Sequence, residues 1–216
     1  MSYYPVFLNI KGKKCVVFGG GEVALHKVTS LLDNGARVKI VSPVICSDLS
    51  RLAETGAVQE VKREYRDGDL RGVFLAIAAT DNWKTNLEIT VEARRRGCLV
   101  NTVDDADHSD FILPSCLRRG DITIAVSTSG KSPALARKLR HKLEKEIGNE
   151  YASLIGLVAA VREEMKKQGI KINRNTWQEA LDIEWLLTLL KSGDTLGAKA
   201  AIMGKLLAIQ DYSNVS

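Results

Sequence analysis

The chain has 216 residues, of which 45% are hydrophobic and 26% charged, and its net charge is +5. That length accommodates one nucleotide-binding domain and a smaller appended unit, with a composition ordinary for a soluble globular protein. No apolar run approaches the roughly 18 residues of a membrane span, and the stretch MSYYPVFLNIKGKK lacks the apolar core and cleavage site of a signal peptide, so a cytoplasmic protein with no membrane partner is expected.

The four cysteines, Cys15, Cys46, Cys98 and Cys116, are widely separated and form no C-x-x-C pair. Three lie in apolar, strand-like sequence, where a free thiol behaves as a small hydrophobe, so buried, reduced thiols are expected and no metal site. His26 and His141 fall on helices and read as surface residues, His108 as a solvated loop residue.

Residues 14–41 carry the clearest pattern. Lys14–Phe18 is a short apolar run, followed by Gly19-Gly20-Gly21 and a helix from Glu22 to Asn34, with Val23, Ala24, Val28, Leu31 and Leu32 at helical spacing. Gly35 stops that helix, and Arg37–Val41 is a second strand, completing a β-α-β unit. A short helix over Ser47–Glu54, a weak strand over Val58–Val61 and a nearly all-apolar strand over Val73–Ala79 follow; such a run suits a parallel sheet covered on both faces. Asp81 or Asn82 caps a helix that runs to Arg96, and Leu99–Val103 is the fifth strand.

After Asp110 the pattern changes. Phe111–Leu117 and Asp121–Ser127 read as two strands joined by Arg118-Arg119-Gly120, a hairpin. Ser132-Pro133 opens a helix with Leu135, Leu139 and Leu143 one turn apart, ended by Gly148. From Tyr151 onward the sequence reads as helical, with segments near 151–168, 175–191 and 194–210. The predicted fold is therefore α/β: a Rossmann-type doubly wound parallel sheet over 1–113, a small α+β hairpin-plus-helix dimerisation region over 114–150, and a helical C-terminal domain over 151–216. A hairpin and one helix make a small core that completes itself against a second copy, so a homodimer is expected.

Gly19-Gly20-Gly21-Glu22-Val23-Ala24 matches G-x-G-x-x-A in its proper place, after a strand and opening a helix. Gly19 permits the turn, Gly21 the approach of a pyrophosphate, and Ala24 close packing of the helix on the sheet. The helix N-terminus then offers free N–H groups and partial positive charge to phosphates. The second strand ends Val41-Ser42-Pro43-Val44, without the acid that would hold an adenosine ribose; Ser42 and the backbone at Pro43 and Val44 stand in, and with no arginine following, NAD is favoured over NADP.

The open-sheet rule puts the ligand beyond the strand ends. Ala79, Thr80, Asp81, Asn101 and Val103 then line it, and Asp104 falls near the nicotinamide. A carboxylate there either accepts a proton as hydride leaves a neighbouring carbon or merely caps the next turn; the residues alone leave both open. Thr128, Ser129 and Lys131 form a polar loop before a capped helix, suited to substrate carboxylates or serving only as a turn. Eight Lys/Arg against four Asp/Glu over 114–150 suggest an anionic partner or a solvated helix face, with no nucleic-acid recognition motif.

Taken in order, Tyr4–Phe7, Val17–Ala24, Leu75–Asp81, Asn101–Asp104, Phe111–Ser115 and Ser132–Arg137 resemble the precorrin-2 dehydrogenase/sirohydrochlorin ferrochelatase family over about the first 150 residues. The resemblance implies that NAD takes a hydride from precorrin-2, an octacarboxylate tetrapyrrole, to give sirohydrochlorin in siroheme biosynthesis. It implies Asp104 as the catalytic base and Ser115, Thr128, Ser129, Lys131 and Arg137 as substrate contacts. Bifunctional relatives also insert Fe²⁺ with the same carboxylate. The chain departs from the pattern at Thr128, where some relatives carry serine, and in the acidic stretch Asp104–Asp110, which would repel a polycarboxylate or attract a metal ion. The rival from another class is a dinucleotide-sensing regulatory protein without catalysis.

Overall fold

The structure, a computed structural model, describes residues 3–214, with side chains to Ile209; positions 1–2 and 215–216 of the terminal regions lie outside the described residues. The chain divides into two compact units, Met1–Leu113 and Pro114–Ser216.

In the first unit, β1 (Lys14–Phe18), β2 (Arg37–Val41), β3 (Val58–Val61), β4 (Leu75–Ala78) and β5 (Leu99–Thr102) form one parallel sheet in the order β3-β2-β1-β4-β5. Alternation along β1 explains the two-sided packing. Cys15 and Val17 face a core that α1 (Glu22–Asp33) covers with Ala24, Val28 and Leu31 and α2 (Ser47–Glu54) with Leu49. Val16 and Phe18 face the opposite core, closed by Ile89 and Ala93 of α3 (Trp83–Arg96). Leu75/Ile77 and Ala76/Ala78 repeat the alternation on β4, which is why that strand reads as a continuous apolar run.

Helix ends follow local chemistry. Gly35 lies at φ 74° just past α1, and Gly97 is the left-handed C-cap of α3. Asn82 is the cap of α3, its side chain accepting from the Lys84 and Thr85 N–H groups. Of the cysteines, Cys15 and Cys98 are buried, and desolvation pushes their thiols up to about 11 and about 12. The expectation of burial fails at Cys116, which is exposed because it lies on the outward face of its strand.

In the second unit, β6 (Ser115–Arg119) and β7 (Ile122–Val126) pair antiparallel. The first strand starts later than predicted and runs through Arg118 and Arg119, leaving Gly120 at φ 55° and Asp121 as the turn. Phe111 and Ile112 do not join the ladder: the Phe111 carbonyl accepts from Asn101 Nδ2 at 2.9 Å and the ring packs on the first core. α4 (Pro133–Glu146) has the Ser132 cap and leading proline; it ends at Glu146, with Ile147 rather than Gly148 as the cap residue. Arg119 holds that end, donating from Nε to the Ile147 carbonyl at 3.0 Å.

The remaining chain is a helical bundle of α5 (Glu150–Lys167), α6 (Arg174–Ala180), α7 (Ile183–Lys191) and α8 (Thr195–Asn214). Leu154, Leu157, Val161 and Met165 of α5 meet Leu186, Leu187, Ala198, Ile202 and Leu206. The single segment expected near 175–191 is two helices. Asp182 breaks it by leaving helical geometry and capping α7 through the Trp185 N–H at 3.2 Å.

Candidate active site

The glycine turn is built by two steric demands and one vacancy. Gly19 sits at φ 122°, and a Cβ there would drive into the Ala79 carbonyl. At Gly20 a Cβ would strike the Val44 carbonyl; the 42–46 loop closes on this residue, with Cys46 N donating to the Gly20 carbonyl at 2.8 Å. The G-x-G-x-x-A pattern treats this middle position as free, so its role was not legible. Gly21 is different: its φ is −87° and an added Cβ would meet nothing within 4 Å. The protein's own packing does not demand glycine there. Its lack of a side chain leaves the N-terminus of α1, which has no side-chain cap, open to an external anion.

That turn forms one wall of a cleft of about 680 Å³. Glu22, Val23, Ser42, Pro43, Val44, Ala79, Thr80, Asp81, Val103 and Asp104 all line it. Two expected ligand groups are otherwise engaged. The Ser42 hydroxyl donates to the Val44 carbonyl at 2.6 Å and the residue is buried, so its proton is not available to a ribose. Asn101 does not line the cleft; it is buried, and its Nδ2 donates to the Phe111 carbonyl. With both faces of β5 covered, strand periodicity carried no sign of which way Asn101 turns.

Asp104 is exposed at the end of β5, in the left-handed region at φ 59°. Its side chain makes no hydrogen bond or ion pair among the described residues. The turn cap is its neighbour: Asp105 accepts from the His108 N–H at 3.1 Å and contacts the His108 ring Nδ1 at 2.7 Å. Burial alone would raise the Asp105 carboxyl, but the His108 side-chain and backbone hydrogen bonds hold it below its usual value. His108 is thus paired rather than simply solvated. Asp110 is also engaged, accepting from Val100 N at 3.0 Å. Among the described residues no three His, Cys, Asp or Glu side chains gather closely enough to hold a metal ion.

Three contributors escaped the sequence reading because no motif marks them. Lys27, half-buried on α1, has its ammonium pushed below the ordinary value by burial, opposed by the charge of Asp104. Asn86 holds the Thr80 backbone, donating from Nδ2 to the Thr80 carbonyl at 2.9 Å and accepting from the Thr80 hydroxyl at 2.7 Å. Tyr65 adds its ring to the cleft wall, edge-on to Phe18 with centroids 5.4 Å apart. Its hydroxyl donates to the buried Glu92 at 2.8 Å; burial first, then Glu92, pushes the phenol well above its usual range.

The expected substrate contacts belong to the second unit. Ser129, Lys131 and Arg137 are exposed and Ser115 half-buried on β6. Thr128 is largely committed: its hydroxyl accepts from Ser132 N at 3.0 Å and lies 3.1 Å from the Ser132 carbonyl, to which it donates. Arg140 pairs with Glu144, and Arg119 caps α4, so part of the local basic excess serves the fold.

The family model described as "Putative NAD(P)-binding" matches residues 6–115, and that described as "Sirohaem biosynthesis protein central" matches 119–146. A siroheme synthase of Photorhabdus laumondii is 37% identical over 184 residues, covering 84% of this chain and 39% of that protein. One from Nitrosomonas europaea is 40% identical over 184 residues with the same coverages, 84% and 39%. The chain thus spans about two fifths of the length of these curated relatives. A solved structure titled "SirC, precorrin-2 dehydrogenase" superposes with a TM-score of 0.72 at 21% identity, covering 95% of this chain and 100% of that one, a likeness of fold.

Proposed function

The chain belongs to the NAD(P)-binding family that continues into the sirohaem-biosynthesis central segment, and on that premise we propose that it oxidises precorrin-2 to sirohydrochlorin with NAD. The observation that carries the reading is the pairing within one cleft of an open approach at Gly21 with an unpartnered carboxylate at Asp104. A pyrophosphate fits the first feature: the uncapped N-terminus of α1 supplies donors and a favourable dipole, and no side chain intervenes. Backbone groups at Pro43 and Val44, which line the cleft, would take the ribose, since the Ser42 hydroxyl is engaged. No acid or arginine directly follows β2 to set a strong preference; NAD is proposed on the lack of a cation beside the strand end for a 2′-phosphate.

NAD, when bound, supplies the hydride acceptor. Asp104 takes the proton released from the macrocycle as that hydride departs, so one two-electron oxidation gives NADH, one proton and sirohydrochlorin. A base held in a left-handed turn by its own backbone, while Asp105 does the capping, is free to meet substrate. Ser115, Ser129, Lys131 and Arg137 are proposed to meet substrate carboxylates, Thr128 less so given its internal bonds. Fe²⁺ insertion, with the ion as substrate, is the second activity the resemblance implies.

A homodimer through residues 114–150 is also proposed. Leu135 and Leu139, one turn apart on α4, are 49% and 42% exposed, an apolar stripe in want of a partner surface. Among the described residues no helix is long and apolar enough to cross a membrane.

Anaerobic incubation with enzymatically generated precorrin-2 and NAD tests the reading. NADH and sirohydrochlorin should appear in equal amounts. Tight NAD binding with no turnover would instead favour the dinucleotide sensor.

A further inference from the structure

We propose that the helical part of the second unit carries its own ligand site, a basic-rimmed apolar groove that binds a planar polycarboxylate, the chemistry of the tetrapyrrole in the proposed reaction. The identity of the ligand rests on that reading; the existence of the site rests on the groove itself.

The groove has a volume of about 630 Å³ and lies between the end of α5, the loop that follows and α6. Gly169, at φ 72°, turns the chain so that Ile170 and Ile172 come back beside Val158 and Met165. Trp177 completes an apolar floor of a size suited to a small organic ligand. Around this floor stand Arg162, Lys166, Lys171 and Arg174, all exposed, and no Asp or Glu lines the cavity.

The pairing of charges elsewhere in the same bundle makes this concentration informative. Lys199 meets Glu164 at 2.6 Å, Lys191 meets Glu150 at 3.1 Å, and Lys205 meets Asp182 at 3.5 Å. None of the four groove cations has an ion pair or hydrogen bond among the described residues. Four like charges around an apolar hollow repel one another, and their combined field attracts a polyanion. A bare polyanion would leave the apolar floor wet, and a neutral apolar ligand would leave the cations unused. A flat macrocycle edged with carboxylates satisfies both, lying on Trp177 and the aliphatic floor while its edge groups reach the rim.

The test uses the full chain and uroporphyrin, a stable octacarboxylate porphyrin, followed by calorimetry and by quenching of Trp177, with Trp177→Phe identifying that signal. Uroporphyrin should bind wild type, and Arg162→Glu with Lys171→Glu should weaken it by about tenfold or more, the scale of two reversed, partly exposed ion contacts. NAD affinity should not change. If the reversal fails to fold, Arg162→Gln with Lys171→Gln, which leaves the core untouched, should still weaken binding several-fold. Unchanged affinity in a folded variant overturns the proposal, as does displacement of the porphyrin by equimolar citrate, which has the charge without the apolar face. Turnover of precorrin-2 is measured on the same samples. Groove-dependent binding without wild-type turnover would sink the dehydrogenase reading and leave the polycarboxylate site standing. Turnover without groove-dependent binding would sink only the site.

Discussion

The two units hold their polar groups in opposite ways. In the first, the chemistry-bearing positions are fixed by backbone sterics: Gly19 and Gly20 fit against the Ala79 and Val44 carbonyls, and Asp104 is presented by a left-handed residue at a strand end. In the second, several polar residues that look available are spent on the fold. Thr128 closes its own loop, Arg119 caps α4 and Arg140 pairs with Glu144. Among the described residues, exposed cations without an ion pair remain at Lys131 and Arg137 and around the groove of the helical bundle, where no motif points. A sequence motif therefore identifies a site well where it encodes backbone shape, and poorly where it encodes only polar side chains whose partners are unknown.

The largest effects are expected within the glycine turn. Gly21→Asp should abolish dinucleotide binding while leaving the fold intact, because the position is sterically open and its φ is ordinary. Gly19→Ala should instead cost roughly 3 kcal/mol or more of stability, combining a forbidden φ with a backbone clash. Binding isotherms and denaturant melts on the two variants separate these outcomes; a stable Gly19→Ala protein would refute the steric assignment.

Next in size is association through α4. Leu135→Glu with Leu139→Glu should convert a dimer to a monomer in sedimentation at micromolar concentration, without unfolding, since both side chains are already half exposed. A monomeric wild type would remove the dimer. The smallest effect concerns the loop: Thr128→Val should lose about 1 kcal/mol of stability by breaking two bonds to Ser132. KM for the tetrapyrrole should change little, and a large rise in KM at unchanged stability would restore Thr128 as a substrate contact.

Much of the first unit was legible because its pattern is physical at every level. Alternation, the glycine turn and the caps at Asn82 and Gly97 all favour the same β-α-β arrangement. What was not legible had a common cause, side chains answering to distant partners. The apolar run from Phe111 resembles a strand but is tied down by Asn101, whereas Arg118 and Arg119 resemble a loop yet pair with Thr123 and Ile122. The helical period runs through Leu181 and Asp182, and only the Asp182 cap shows the break. In the site, the residues alone left Asp104 as either base or turn cap, and the His108 contacts give a cap to Asp105 instead.

Measuring NAD affinity and precorrin-2 turnover side by side in Asp104→Ala tests whether one cleft both binds the dinucleotide and sets Asp104 against the substrate. Turnover should fall by about 10²-fold or more, the scale of lost acid–base catalysis, with NAD affinity close to wild type. Unimpaired turnover would contradict this arrangement and remove Asp104 from the chemistry.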